Sequence, residues 1–225
     1  MEGFASQPFF SVLMLAALGL LPFVFMVTTS FVKISVVFSV LRNALGTGQV
    51  PSGMIITALA AILTFYVMSP VIRQASVTAA PALARLDLGK PLAGDNLDAL
   101  FDTVDLGKEP FRAFLTKHAG ERERGLFYEL AKAGRTPAEQ ADIGSNDWLV
   151  VLPAFLITEL AEAFQIGFLV FVPFLLVDMV IANVLLALGM HMLSPTTVSL
   201  PFKLLLFVLV DGWYLLSKAL VLGYA

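Results

Sequence analysis

The chain has 225 residues, is 58% hydrophobic and only 14% charged, and carries a formal net charge of −3. Soluble domains are about 25% charged, so this balance points to a membrane protein and leaves no electrostatic footprint for nucleic acid. The absence of cysteine excludes disulfides, thiolate metal sites and cysteine nucleophiles, and the wide separation of His118 and His191 argues against a zinc site.

Charge is unevenly spread: residues 1–72 hold three charged side chains, 73–147 hold 22 and 148–225 hold six. The expected organisation is therefore an N-terminal hydrophobic helical hairpin (1–72), a polar helical segment (73–147) and a C-terminal hydrophobic hairpin (148–225). The first apolar run, Phe9 to Val32, is uncharged. Glu2 stands where a signal peptide has its basic region, and the run is too long for a typical signal core, so it reads as a retained span. Pro22 is expected to kink it. Thr28, Thr29 and Ser30 follow, small polar residues suited to close helix approach and hydrogen bonding to a neighbouring helix. A second run, Ser52 to Ile72, ends at Arg73. The connection between these runs is expected to hold Lys33, Arg42 and Gly46-Thr47-Gly48. The positive-inside rule then assigns it to the cytoplasm and the polar segment to the far side.

Within the polar segment, Leu97, Leu100, Phe101 and Val104 repeat with helical spacing behind Asp95, a suitable N-cap. Pro110 is placed to open a second helix containing Phe111, Phe114 and Leu115. Leu126, Phe127, Leu130 and Ala131 mark a third helix, closing near Gly134. The alternating Glu121-Arg122-Glu123-Arg124 reads as a solvated face.

Trp148 to Ala163 is apolar but contains Glu159 and Glu162, which share a helix face at i, i+3. It predicts a packed helix leading into a third span, Phe164 to Met190, which Pro173 should kink. That span carries one charge, Asp178, and ends in Gly189-Met190-His191-Met192. After a break at Leu193–Thr197, a fourth span runs from Leu200 to Leu222, with Pro201 in its first turn and Lys203 and Asp211 inside. Spans of about 20 apolar residues suffice to cross a hydrocarbon core. Charges within them are costly, so Lys33, Asp178, Lys203 and Asp211 are read as structural groups pairing across helices or subunits; proton coupling is the alternative. No catalytic constellation, phosphate-binding glycine loop, metal site or cofactor site is present in the sequence, so no enzymatic activity and no cofactor are expected.

Several strings carry a specific resemblance. They are Thr29-Ser30-Phe31-Val32-Lys33, Leu41-Arg42-Asn43-Ala44-Leu45-Gly46 and Met68-Ser69-Pro70-Val71. In the second half they are Leu152-Pro153-Ala154-Phe155, Phe164-Gln165-Ile166-Gly167-Phe168, Pro173-Phe174-Leu175, Ala187-Leu188-Gly189-Met190, Ser199-Leu200-Pro201-Phe202-Lys203 and Phe207-Val208-Leu209-Val210-Asp211-Gly212-Trp213. Together they resemble the FliP/SctR family, the main export-gate subunit of flagellar and injectisome type III secretion machines. The resemblance covers nearly the whole chain and is weakest in 74–108 and 132–146.

It implies a multi-pass protein of the bacterial inner membrane, all-α, built of long Pro-kinked helical hairpins with a small helical segment on the periplasmic side. It further implies a helical oligomeric cone of about five copies. The implied partners are the Q/S-type and R/T-type export-gate subunits, the switch/autoprotease subunit and membrane lipid, with unfolded substrates passing through the centre. A methionine-containing loop at Gly189, Met190, His191 and Met192 is implied as a constriction. Methionine is unbranched and deformable and suits a seal that closes around nothing or around chains of varied shape. On spacing alone, Met190 and Met192 read as ordinary packing residues at a helix end. His191 stands where the family often has methionine; it reads as a tolerated exchange, with pH sensing as the alternative. The missing leader and Lys33 favour an injectisome member over a flagellar one. The competing class is a small-solute or ion transporter with Lys203 and Asp211 on its path, which internal repeats would support; none is evident between 1–72 and 148–225.

Overall fold

The computed structural model describes residues 6–48, 50–85 and 94–225, and every regular element among them is helical. In chain order these are α1 (Ser6–Thr28), α2 (Phe31–Leu45), α3 (Gly53–Leu83), α4 (Gly94–His118), α5 (Glu121–Lys132), α6 (Pro137–Ala141), α7 (Trp148–Ala187), α8 (Pro195–Leu209) and α9 (Gly212–Leu222). Helices α3 and α7 are long and apolar enough to cross a membrane. Two bent pairs, α1 with α2 and α8 with α9, pass the same test if each is one broken span.

The breaks between the two bent pairs do not fall at prolines. Helix α1 is continuous across Pro22, α3 across Pro70 and Pro81, α4 across Pro110 and α7 across Pro153 and Pro173. The first bend, 75°, lies at Thr29–Ser30. There the hydroxyls of Thr28 and Thr29 donate to the carbonyls of Val24 and Phe25 at 2.7 and 2.6 Å, so freed backbone acceptors are satisfied inside the apolar run. The second, 59°, separates α8 from α9 at Asp211, whose φ of 51° is left-handed.

Several expected boundaries move accordingly. Lys33 and Arg42 lie inside α2 rather than in the connection, which is left to the Gly46–Ser52 turn. Helix α3 passes Ile72 and ends at Leu83. Pro110 opens no new helix, because Phe111, Phe114 and Leu115 beyond it pack into the core and hold α4 in one piece. The Asp95 side chain lies outside the described residues. The fourth span starts earlier than Leu200, at Pro195, and Pro201 sits nearly two turns inside it.

Two apolar clusters organise the chain. One joins Ile34, Val37, Phe38, Leu41 and Leu45 of α2 to Ile56 and Ala60 of α3, Ala163 and Phe174 of α7, Phe207 of α8 and Leu216 and Leu220 of α9. The other joins Met68 of α3, Phe114, Leu115 and Ala119 at the end of the polar segment's α4, Val151, Ala154 and Phe155 of α7, and Tyr224. The polar segment is therefore anchored on the first turns of α7. At about 1.5 Å per residue the 40 residues of α7 span about 60 Å, twice a hydrocarbon core of about 30 Å. Its beginning serves packing and its remainder is the expected span.

Helices α2 and α7 approach each other closely at Gly167. A Cβ there would lie 3.1–3.2 Å from three atoms of Val40, a β-branched side chain with little freedom to turn away. Gly167→Ala is expected to cost about 1–3 kcal/mol through overpacking. Val40→Ala added to that variant should recover part of the loss, both measured as thermal unfolding of the detergent-purified protein.

Candidate functional site

The Gly189–Met192 loop is built by the way α7 stops. The helix ends at Ala187, short of the expected Met190. Gly189, with φ 73°, turns the chain into the left-handed region. Its N–H donates to the carbonyl of Leu186 at 3.0 Å, and the Met190 N–H donates to that of Leu185 at 2.9 Å. This paired closure satisfies two of the last carbonyls of α7 and requires a residue that tolerates positive φ. The loop is exposed throughout, and Met192, 99% exposed, touches none of the chain's own core. Packing within this chain therefore does not account for Met192, whereas Met190 is about half covered.

The charges in the apolar helices sort into three cases. Asp178 of α7 and Lys203 of α8 form an ion pair at 2.6 Å. The Ser199 hydroxyl also donates to Asp178, and the Lys203 ammonium donates to the Ala44 carbonyl at the end of α2, at 3.2 Å. Asp211 lies in the break between α8 and α9 rather than inside a helix. It is exposed and has no ion pair among the described residues. Thr28 and Thr29 bond within their own helix rather than across to a neighbour. Thr29 and Ser30 are nonetheless buried, as close helix approach requires.

Lys33 is the centre of a second cluster. Its ammonium, almost fully buried, lies 2.8 Å from Glu159 and 2.6 Å from Glu162, one turn apart on α7. It also lies 4.3 Å from the Tyr224 ring centroid, a cation–π contact. The Tyr224 hydroxyl donates to the other oxygen of Glu159. Burial, then the charge of Glu159, push the Tyr224 hydroxyl up, so it remains a donor. His118, closing α4, lies 5.1 Å from the Tyr224 ring and 4.7 Å from Phe114. Burial first, then the neighbouring cations Lys117 and Lys33, lower its pKa from 6.5 to about 4, against an opposing pull from Glu162. Sequence reading named Lys33 and the paired carboxylates but did not join them, since 126 residues separate Lys33 from Glu159. The available signal was one cation in the first apolar half and two same-face carboxylates in the second.

Among the described residues no group of three or more His, Cys, Asp or Glu side chains could hold a metal ion. An apolar groove of about 360 Å³ opens between α2, α7, α8 and α9, lined by Leu41, Leu169, Phe174, Leu206, Val210 and Leu215 among others.

Comparison with known proteins gives one consistent answer. The model of the FliP family matches residues 14–220. The chain is 44% identical over 216 residues to the Yop proteins translocation protein R of Yersinia pestis, covering 95% of this chain and 94% of that one. It is 42% identical over 213 residues to the hypersensitivity response secretion protein HrcR of Ralstonia nicotianae, covering 95% of each. It is 41% identical over 214 residues to the flagellar biosynthetic protein FliP of Pectobacterium carotovorum subsp. carotovorum, covering 95% and 78%.

Two measurements test the Lys33 cluster. Lys33→Met leaves Glu159 buried without its cation and should cost about 3–5 kcal/mol, whereas Lys33→Met with Glu159→Gln should recover most of that loss. Thermal unfolding in detergent reads both. Unfolded His118 takes up a proton at its ordinary value of 6.5, but the folded protein resists until about 4. The unfolded state thus binds more protons within that window, and stability falls as pH is lowered through it. In His118→Gln the fall between these pH values should be shallower.

Proposed function

The chain belongs to the FliP family, and from that we propose that it is a core pore-forming subunit of a type III protein export gate in the bacterial inner membrane. In this reading it conducts unfolded proteins and performs no catalysis of its own. The observation that carries the proposal is identity of 42–44% along nearly the whole chain to proteins named for secretion and translocation. The exposed apolar surface supports assembly: on α1, Val12, Leu15, Leu18, Leu20, Leu21, Phe23 and Val24 are each more than half exposed. Such a surface demands lipid or other subunits. About five copies, arranged head to tail with the Q/S-type and R/T-type subunits and the switch/autoprotease subunit, form the proposed cone.

Gly189, Met190, His191 and Met192 form its proposed closed-state seal. Support comes from a helix end closed by local backbone bonds and carrying two flexible thioether side chains, of which Met192 is almost fully exposed. We assign the polar segment to the periplasm, with Arg42 in the last turn of α2 favouring a cytoplasmic Gly46–Ser52 turn. An injectisome rather than a flagellar setting is favoured by Lys33. The transporter reading is weakened because Lys203 is buried and already engaged by Asp178.

Met190→Gly with Met192→Gly is expected to make the assembled complex leak ions across the cell membrane while its size on a native gel is unchanged. An intact complex with no leak and normal secretion would remove the seal from this loop.

A further inference from the structure

Between the apolar core and the loop, the α7–α8 hairpin has little to hold it. Past Asp178, the only buried residue of α7 is Leu185; before Lys203, the only buried residue of α8 is Ser199. The loop's own backbone bonds are all local, running no further than the adjoining helix ends. The Asp178 carboxylate, with Ser199 on one oxygen and Lys203 on the other, is thus the last polar link across the hairpin. It sits nine residues before the end of α7, about 14 Å along the helix, and Lys203 sits eight residues into α8. The link continues into a third helix. The Ala44 carbonyl lies in the last turn of α2, where helices leave carbonyls unpaired and where a cation is favoured, and Lys203 donates to it.

We propose that Asp178, Ser199 and Lys203 form a latch that fixes the position of the Gly189–Met192 loop by tying the α7–α8 hairpin to the end of α2. The latch positions the loop without touching anything that passes it. Its consequence for sealing rests on the gate reading above; its existence does not. The electrostatics explain why it persists. Lys203 is 3% exposed, so its charge is tolerable only while Asp178 and the Ala44 carbonyl surround it.

The chain has no cysteine, so Met192→Cys takes a single spin label on each copy. The unsubstituted complex corrects for labelling of other subunits. In the assembled complex purified from membranes, Asp178→Asn alone strands the Lys203 charge and should lower the yield of complex. Asp178→Asn with Lys203→Met removes both charges, so it should restore assembly yet speed the label's motion about twofold or more. Ser199→Ala keeps both charges, removes one bond and should speed the label less; it decides the matter if the double variant does not assemble. Label motion equal to that of the parent in whichever of these two variants assembles would overturn the latch. Conductance is recorded beside the Met190→Gly/Met192→Gly complex. A loosened loop in a membrane that stays tight would keep the latch and sink the seal.

Discussion

The arrangement depends on one seam, between α2 and α7. Each helix is too apolar to need a partner for solubility in lipid, so hydrophobicity alone selects no particular neighbour there. Two features do. Gly167 lets the backbones approach at Val40, and Lys33 places one buried ammonium opposite Glu159 and Glu162. A charge in apolar surroundings is a strong constraint because misregistry leaves it uncompensated. A slip of one residue along α7 would turn both carboxylates about 100° away from Lys33. The seam then dictates much else: the start of α7 carries the polar segment, and Tyr224 reaches both Glu159 and the Lys33 ammonium, closing the end of the chain onto its first half.

Prolines and breaks tell a related story. Pro22 and Pro173 read as kinks; the described helices run on through both without a break, and the two breaks between bent helix pairs occur where no proline stands. Proline removes one backbone bond, a cost that neighbouring packing can absorb in a long helix. Thr28 and Thr29 instead redirect their hydroxyls to carbonyls four residues back, and Asp211 adopts a left-handed conformation that short polar side chains tolerate better than most. Side-chain competition for the backbone marked these sites in the sequence, but at Thr28–Ser30 it was read as adhesion between helices.

Long apolar runs made the helical class and the spans legible, because period and length are local properties. The left-handed Gly189 was not legible as a stop: apolar residues continue on both sides of it, so the span was expected to reach Met190 although glycine past a helix end is a common cap. Pairing was not local. Lys33 and Glu159 lie 126 positions apart in the sequence, and no spacing rule connects them. Asp178 and Lys203 differ: they flank one short loop at nearly equal distances, so an antiparallel hairpin brings them together without further information. Their pairing could have been read from the sequence by counting outward from the Leu188–Ser194 connection.

That difference has a structural meaning. The Lys33 cluster ties elements distant in sequence and lies where α4, α7 and Tyr224 converge, so its loss would affect the whole chain. The Asp178 cluster is local and sits near the free end of a hairpin whose outer surface is exposed: Met179, Val180, Val184, Leu186 and Leu188 are each at least 48% accessible. Its strength is therefore spent on a short segment that, among the described residues, little besides buried Leu185 restrains. Two buried ion pairs of similar length thus do different jobs, one specifying the fold and the other the place of a single loop. The distinction follows from what remains packed when each is removed.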